Sequence, residues 1–287
     1  MNPPPTIRTL KETPAVLHLD ADRAFGPVVT VPAMQQVIAK AKMVGIGWAL
    51  IGNVTHQGAM GYYSLLAAEQ GMAGIAIVCS PPNMAPYGAK AAGVHNSPIA
   101  IAVPAARHHP LVLDMATSIV AGGKLEVAKD KRVPLGEGWA LDSTGQPTLD
   151  PHLASILMPA GGPKGSGLAL MFQCLTSQMA NNPLVVPALQ GQGKGHNQNS
   201  IVAAIDIGLF TDLASYQAGI DELIDNLKAL PKAEGVNDIL MPGEPEFRTL
   251  KSAPPTASPC RPAPSTGCEK QRRALISLYR QEYERIT

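Results

Sequence analysis

With 287 residues, a net charge of +1 and only 16% charged side chains, the chain carries no broad basic field for a nucleic acid, and 4% aromatics are too few for a base-stacking surface. The length supports a large core in two lobes or one elaborate domain. Four widely spaced cysteines (Cys79, Cys174, Cys260, Cys268) form neither a CxxC nor a metal-ligand pattern, no apolar run approaches a membrane span, and the opening MNPPPTIRTLKETP is no signal peptide. These features predict a soluble, cytoplasmic protein with no metal.

In chain order, residues 1–14 carry four prolines and are expected to be extended or disordered. Residues 15–19 read as a strand. Thr30 is placed to cap a helix with Pro32 in its first turn, and Met34, Val37, Ile38 and Ala41 then fall at helical spacing until Gly45. Residues 45–51 read as a buried strand. Residues 57–70 read as a helix with Tyr62, Leu65 and Leu66 inward, ended by Gly71, and residues 75–79 as another strand. Strands alternating with helices predict an α/β fold.

From Ser80 the texture changes to a long loop, SPPNMAPYGAKAAGVHNSP, of a length that tends to be functional. Strands at 99–103 and 111–113 follow. The second runs into Asp114-Met115-Ala116-Thr117-Ser118, then a helix through Gly122-Gly123-Lys124. Residues 133–151 read as a polar connection with two turns. An apolar helix from the PAGGPKGSG stretch extends to about Met179, and a polar, glycine-rich stretch, 191–200, precedes a strand at 201–205. Asp212 caps a helix to Leu230 with Leu213, Ile220, Leu223, Ile224 and Leu227 inward. Residues 253–267 read as disordered, and 269–286 as a possible helix.

Two places carry chemistry. His56 lies between a strand end and a glycine-opened helix, with Gly58 and Gly61 beside it, which is where α/β proteins bind ligands; a lone loop histidine is more often structural or solvated. Gly161, Gly162, Gly165 and Gly167 surround Lys164 at a helix start. Free N–H groups, the helix dipole and the lysine would there bind an anion, or the stretch is a tight turn with a solvated lysine. It is not a Walker A motif, whose lysine follows the last glycine beside Ser or Thr.

Taken together, THQGAMGYY, SPPNMAPYGAKAAGVHNSPIAIAVP, LVLDMATS, EGWALDSTGQPTLDP and PAGGPKGSGLAL resemble the malate/L-lactate dehydrogenase family, in consistent order from about residue 13 to 248. The resemblance implies a three-layer α/β/α fold around a mixed sheet, L-sulfolactate/malate dehydrogenase-like and non-Rossmann, in keeping with the lack of a strand followed by GxGxxG. It implies a homodimer using NAD or NADP to transfer a hydride to or from a small 2-hydroxy or 2-oxo acid of malate, lactate or ureidoglycolate type. By motif, His56 is the acid/base. Ser80, Asp114, Met115, Ala116, Lys164, Gly165, His196 and Asn197 are cofactor-binding. The organisation expected is a disordered lead (1–14), a mixed-sheet lobe (15–55 and 195–250), an NAD(P)-binding lobe (56–194) and a Pro-rich tail with a short helix (251–287). Family members open with helices bearing a Ser-His-Gly motif and an arginine that help bind and protonate substrate, whereas this chain opens at the segment that follows. The alternatives are therefore a truncated, catalytically impaired relative that binds dinucleotide or only dimerises, and a cyclic imino acid reductase.

Overall fold

A computed structural model of the chain describes residues 5–193, 195 and 197–252. The stretch 253–267, the helix expected at 269–286 and His196 lie outside them. Residues 8–12, expected to be extended or disordered, are extended: they form strand β1 (Arg8–Glu12), paired antiparallel with β2 (Val16–Asp20). The proline-free stretch between Pro5 and Pro14 can donate its N–H groups to a ladder, and the Arg8 guanidinium meets the Asp20 carboxylate at 2.5 Å.

Helix α1 (Gly26–Val44) begins four residues before Thr30, with Pro27 in its first turn and Gly45 closing it at φ 91°. Thr30 does not cap it: its hydroxyl is buried inside the helix and donates to the Gly26 carbonyl at 2.8 Å. Met34, Val37, Ile38 and Ala41 face the core as their spacing predicts. Strand β3 (Ile46–Val54) is buried on both faces over most of its length, which is why it reads as an unbroken apolar run. Helix α2 (Met60–Ala68) starts later than expected. Tyr62 points to solvent and Tyr63 is buried, its hydroxyl donating to the Gln57 carbonyl. Leu65 and Leu66 are half-buried, Leu66 against the core, so of the expected inward residues only Tyr62 faces away.

Strands β4 (Met72–Cys79), β5 (Ile99–Val103) and β6 (Leu111–Met115) follow, and then α3 (Gly122–Lys131). The supposed polar connection 133–151 holds two short strands, β7 (Ala140–Leu141) and β8 (Pro147–Thr148), which with β9 (Ile156–Leu157) form a small separate sheet. Two-residue strands carry too little periodicity to be seen in a sequence. The Ala85 N–H donates to Leu157 O at 3.0 Å, so the 80–98 loop is stapled to this sheet. Helix α4 (Pro163–Gln173) continues into a π-helical turn, Cys174–Gln178, and α5 (Val185–Leu189) precedes β10 (Gln198–Asp206). In α6 (Leu213–Lys228) Asp212 caps as expected, accepting from the Ser215 N–H at 2.8 Å. The expected apolar face is inward only in part: Ile224 is buried with Asp221, Leu213 and Ile220 are half-buried, and Leu223 and Leu227 are exposed. Asp221 accepts from the backbone N–H groups of Arg107 and His108, so α6 docks by polar contacts on the β5–β6 connection.

The large sheet has seven strands in the order β1-β2-β3-β10-β4-β5-β6. Strands β2, β3, β4 and β6 run one way, and β1, β10 and β5 the other. Helices α1 and α2 cover one face, where Leu17, Leu19, Ala49 and Ile51 meet Met34, Val37 and Tyr63. The α4 helix and its π turn cover the other, where Phe172 packs on Ile77, Cys79 and Ile201. The result is three layers around a mixed sheet. Segments 15–55, 195–250 and 56–194 supply the adjacent strands β3, β10 and β4. This unit ends at Glu244. A second begins at Pro245, and its described part is helical, within α7 (Glu244–Ser252).

Candidate functional site

Because β2, β3, β4 and β6 are parallel to one another, their carboxyl ends lie along one edge of the sheet, beside the amino ends of β10 and β5. Ligands of open α/β sheets bind outside such strand ends. His56 follows β3 by two residues, Ser80 follows β4 by one, Asp114 and Met115 end β6, Ala116 comes next, and Asn197 immediately precedes β10. Residues far apart in sequence are thus brought to one edge by strand direction alone.

His56 is exposed, on a loop held from below. The loop leaves β3 through Asn53, a left-handed residue (φ 57°) whose N–H donates to the Asn199 side chain at 3.0 Å. Asparagine tolerates that backbone better than most residues. Asn199 is fully buried, and its carboxamide also donates to Ser177 and to the Asn182 carbonyl, each at 3.0 Å. The π turn and the end of β3 are therefore tied through one side chain. Asp114 accepts from the Gly61 N–H at 2.7 Å. Its carboxylate sits at the positive end of α2, the favourable end for an anion, and ties the end of β6 to the helix that follows the His56 loop.

The Ser80 hydroxyl donates to the Asn197 carbonyl at 3.5 Å. Asn197 is 2% exposed, and its Oδ1 has no hydrogen-bond partner among the described residues. It lines a cleft of about 340 Å³ with His18, Asp20, Arg23, Asn53 and Asn182. A buried acceptor left open is costly unless something supplies a donor.

Of the two readings of the Lys164 stretch, the structure matches the tight turn with a solvated lysine. The Lys164 N–H donates to Gly161 O at 3.3 Å and the Gly165 N–H to Ala160 O at 2.8 Å, while Pro163 has none to offer. The first-turn amides are engaged by loop carbonyls, so the turn offers an anion the Lys164 ammonium and the helix dipole rather than free N–H groups. Lys164 is exposed. Gly165 is buried against Thr117, whose carbonyl also accepts from the Ala160 N–H at 2.9 Å. The turn is thereby placed directly beside Asp114-Met115-Ala116.

Several residues of this edge were not singled out from the sequence. Asn83 and Asn96 pair through two hydrogen bonds, of 3.0 and 2.8 Å, across the long loop. Between them and β4 lies a buried chain: Cys79 Sγ is 3.0 Å from Ser97 Oγ, which is 3.5 Å from His95 Nδ1. Burial pushes the Cys79 thiol up to about 11, a shift that hydrogen bonds from Ser97 and Thr176 only partly offset, and burial takes His95 down to about 3. The only sequence signal was a place in the turn-rich loop, or for Cys79 at the strand end before it.

His95 has a consequence for acid stability. Its folded value lies below the unfolded one, so from about pH 6.5 downward the unfolded chain takes a proton that the folded chain refuses until about pH 3. The neutral imidazole's advantage is complete above that window and is lost as pH falls through it. Urea midpoints should decline between about pH 7 and pH 4, and His95→Gln should remove part of the decline. Parallel pH curves for the two proteins would assign the loss to other groups.

Comparison with known proteins agrees with this architecture. A profile of malate/L-lactate dehydrogenases matches residues 1–256. An L-sulfolactate dehydrogenase from Methanocaldococcus jannaschii is 39% identical over 251 residues, 86% of this chain and 72% of the relative. The solved structure of a sulfolactate dehydrogenase from that organism superposes with a TM-score of 0.75 at 38% identity, over 86% of this chain and 72% of that one. Two further relatives carry their cofactor in their names. The ureidoglycolate dehydrogenase (NAD(+)) of Escherichia coli K12 is 30% identical over 85% of this chain and 70% of its own. The (2R)-3-sulfolactate dehydrogenase (NADP(+)) of Chromohalobacter salexigens is 32% identical over 77% and 67%. Profile, identity and superposition lead to one conclusion: the chain belongs to the malate/L-lactate dehydrogenase family.

Proposed function

We propose that this protein is an NAD- or NADP-dependent oxidoreductase that interconverts the CH–OH of a small 2-hydroxy acid and the C=O of the corresponding 2-oxo acid. The observation that carries the reading is the convergence of His56, Ser80, Asp114-Met115-Ala116, the Lys164 turn and Asn197 on one sheet edge. The open acceptor of Asn197 and the exposed ammonium of Lys164 fit a dinucleotide, which brings hydroxyl donors and a diphosphate.

In this reading His56 takes the proton from the substrate hydroxyl during oxidation and returns it to the carbonyl oxygen in reduction. When bound, the nicotinamide supplies or accepts the hydride at its C4. Lys164 and the turn at Gly165 hold the diphosphate. Ser80, Met115, Ala116 and Asn197 line the cofactor, His196 is assigned to it by motif alone, and Asp114 holds the α2 end in place beside it. Residues 56–194 thus supply most of the cofactor contacts.

A homodimer is part of the proposal, supported by Leu168, Leu170 and Met171, which α4 leaves exposed. A cytoplasmic location is supported by Cys79 and Cys174, which are free thiols.

The test is a fluorescence titration with NADH and NADPH, followed by coupled assays on malate, lactate, sulfolactate, ureidoglycolate and a cyclic imino acid. Saturable binding with turnover of a 2-hydroxy or 2-oxo acid is expected. Binding without turnover of any of them would replace the enzyme with a dinucleotide-binding relative. Turnover of the imino acid alone would change the substrate class.

A further inference from the structure

The side chain next to His56 is as buried as His56 is exposed. Gln57 is 2% exposed, and every polar atom of it but one is held by a different part of the fold. Its Nε2 donates to Thr30 Oγ1 of α1 at 2.7 Å and to Ser200 Oγ of β10 at 2.8 Å. Its backbone N–H donates to the Gln198 side chain at 3.2 Å, and its carbonyl accepts from the Tyr63 hydroxyl of α2. Gly26 presses against the same spot: a Cβ there would meet the His56 carbonyl at 2.4 Å and the Gln57 Cα at 2.6 Å. Two helices and a core strand therefore grip one residue of a loop whose preceding side chain stands in solvent.

The residual atom sharpens the point. Gln57 Oε1 is buried with no hydrogen-bond partner among the described residues. An apolar side chain of the same size would fill the space without that penalty, so packing by itself gives no reason for a carboxamide here. What a carboxamide adds is direction, because two fixed donors to two elements set the torsion of the chain at residue 57 and with it the exit of the His56 side chain.

We propose that Gln57 is a positioning residue for the reaction, holding the His56 imidazole in one orientation through its hydrogen bonds to Thr30 and Ser200. The proposal rests on the acid/base role assigned to His56. A small displacement of a reacting group is costly in rate because the aligned geometry is what the fold supplies in advance.

Two readouts test it on the whole 287-residue chain. The first needs no substrate: the His56 ring Cε1–H resonance, identified by its disappearance in His56→Ala, should be single in the wild type and broadened, doubled or shifted in Gln57→Leu. The second is kinetic, with kcat for the active 2-hydroxy acid falling about 10- to 100-fold in Gln57→Leu while KM moves by no more than about threefold. Thr30→Val should reproduce part of both effects and Thr30→Ser, which keeps the hydroxyl, should restore them; this pair decides the matter if Gln57→Leu does not fold. An unchanged resonance, or an unchanged kcat, in the folded variants overturns the inference. If His56→Ala itself keeps full turnover, the role assigned to His56 fails instead, which is a separate result.

Discussion

Replacing His56 with alanine is expected to lower kcat by about 10²- to 10⁴-fold, the range that a positioned general acid/base contributes. The fold should be untouched, because the side chain is exposed while its neighbours Thr55 and Gln57 carry the loop's anchoring contacts. Dinucleotide affinity should change little, since Ser80, the Asp114 segment and the Lys164 turn lie on other strands and loops. The measurement is a steady-state comparison with a parallel NADH titration and a urea unfolding curve. A variant that turns over at the wild-type rate would take the imidazole out of the chemistry. One that loses binding and activity together would make His56 part of the cofactor pocket.

The second large effect is expected at Gly165. A Cβ there would lie 2.2 Å from the Thr117 carbonyl oxygen and 2.7 Å from both the nitrogen and the oxygen of Ala160. All three are backbone atoms, so no rotamer change relieves the clash. Gly165→Ala should cost about 1–3 kcal/mol, as overpacking of close-packed sites does. It should also weaken dinucleotide binding, because it separates the Lys164 turn from the strand end that bears Asp114-Met115-Ala116. Gly167, two residues along the same helix, is the control: nothing lies within 4 Å of its Cβ position, so Gly167→Ala should be neutral or stabilising by up to about 1 kcal/mol. Equal urea midpoints for the two alanine variants would show that the close approach at Gly165 relaxes without cost.

Much of the fold was legible because its elements are long and buried. Strands β2, β3, β4, β5 and β10 stood out as apolar runs, and the inward face of α1 followed from Met34, Val37, Ile38 and Ala41. The misreadings share one cause: a local signal was outweighed by a tertiary one. Thr30 looks like a cap but serves the helix interior and Gln57. The stripe of α6 looks like a core face, yet only Ile224 of it is fully buried and Asp221 anchors the helix on a loop. β1 looks like disorder until β2 is there to pair with it.

The site divides along the same line. Residue type and local spacing were enough to mark His56 and the glycine-flanked Lys164, because an imidazole beside glycines and a lysine at a helix start are unusual within short windows. Gln57, Asn199 and the His95–Ser97–Cys79 chain are unremarkable in any such window and acquire meaning from partners as far as 146 residues away in sequence. Sequence alone, then, marked the long buried strands and helices and the side chains that are candidates for chemistry, since both follow from periodicity and functional groups. Which of those side chains meet, which end of each strand they share and which amides stay open to a ligand was decided by strand direction and long-range hydrogen bonds, which exist only once the chain has closed on itself.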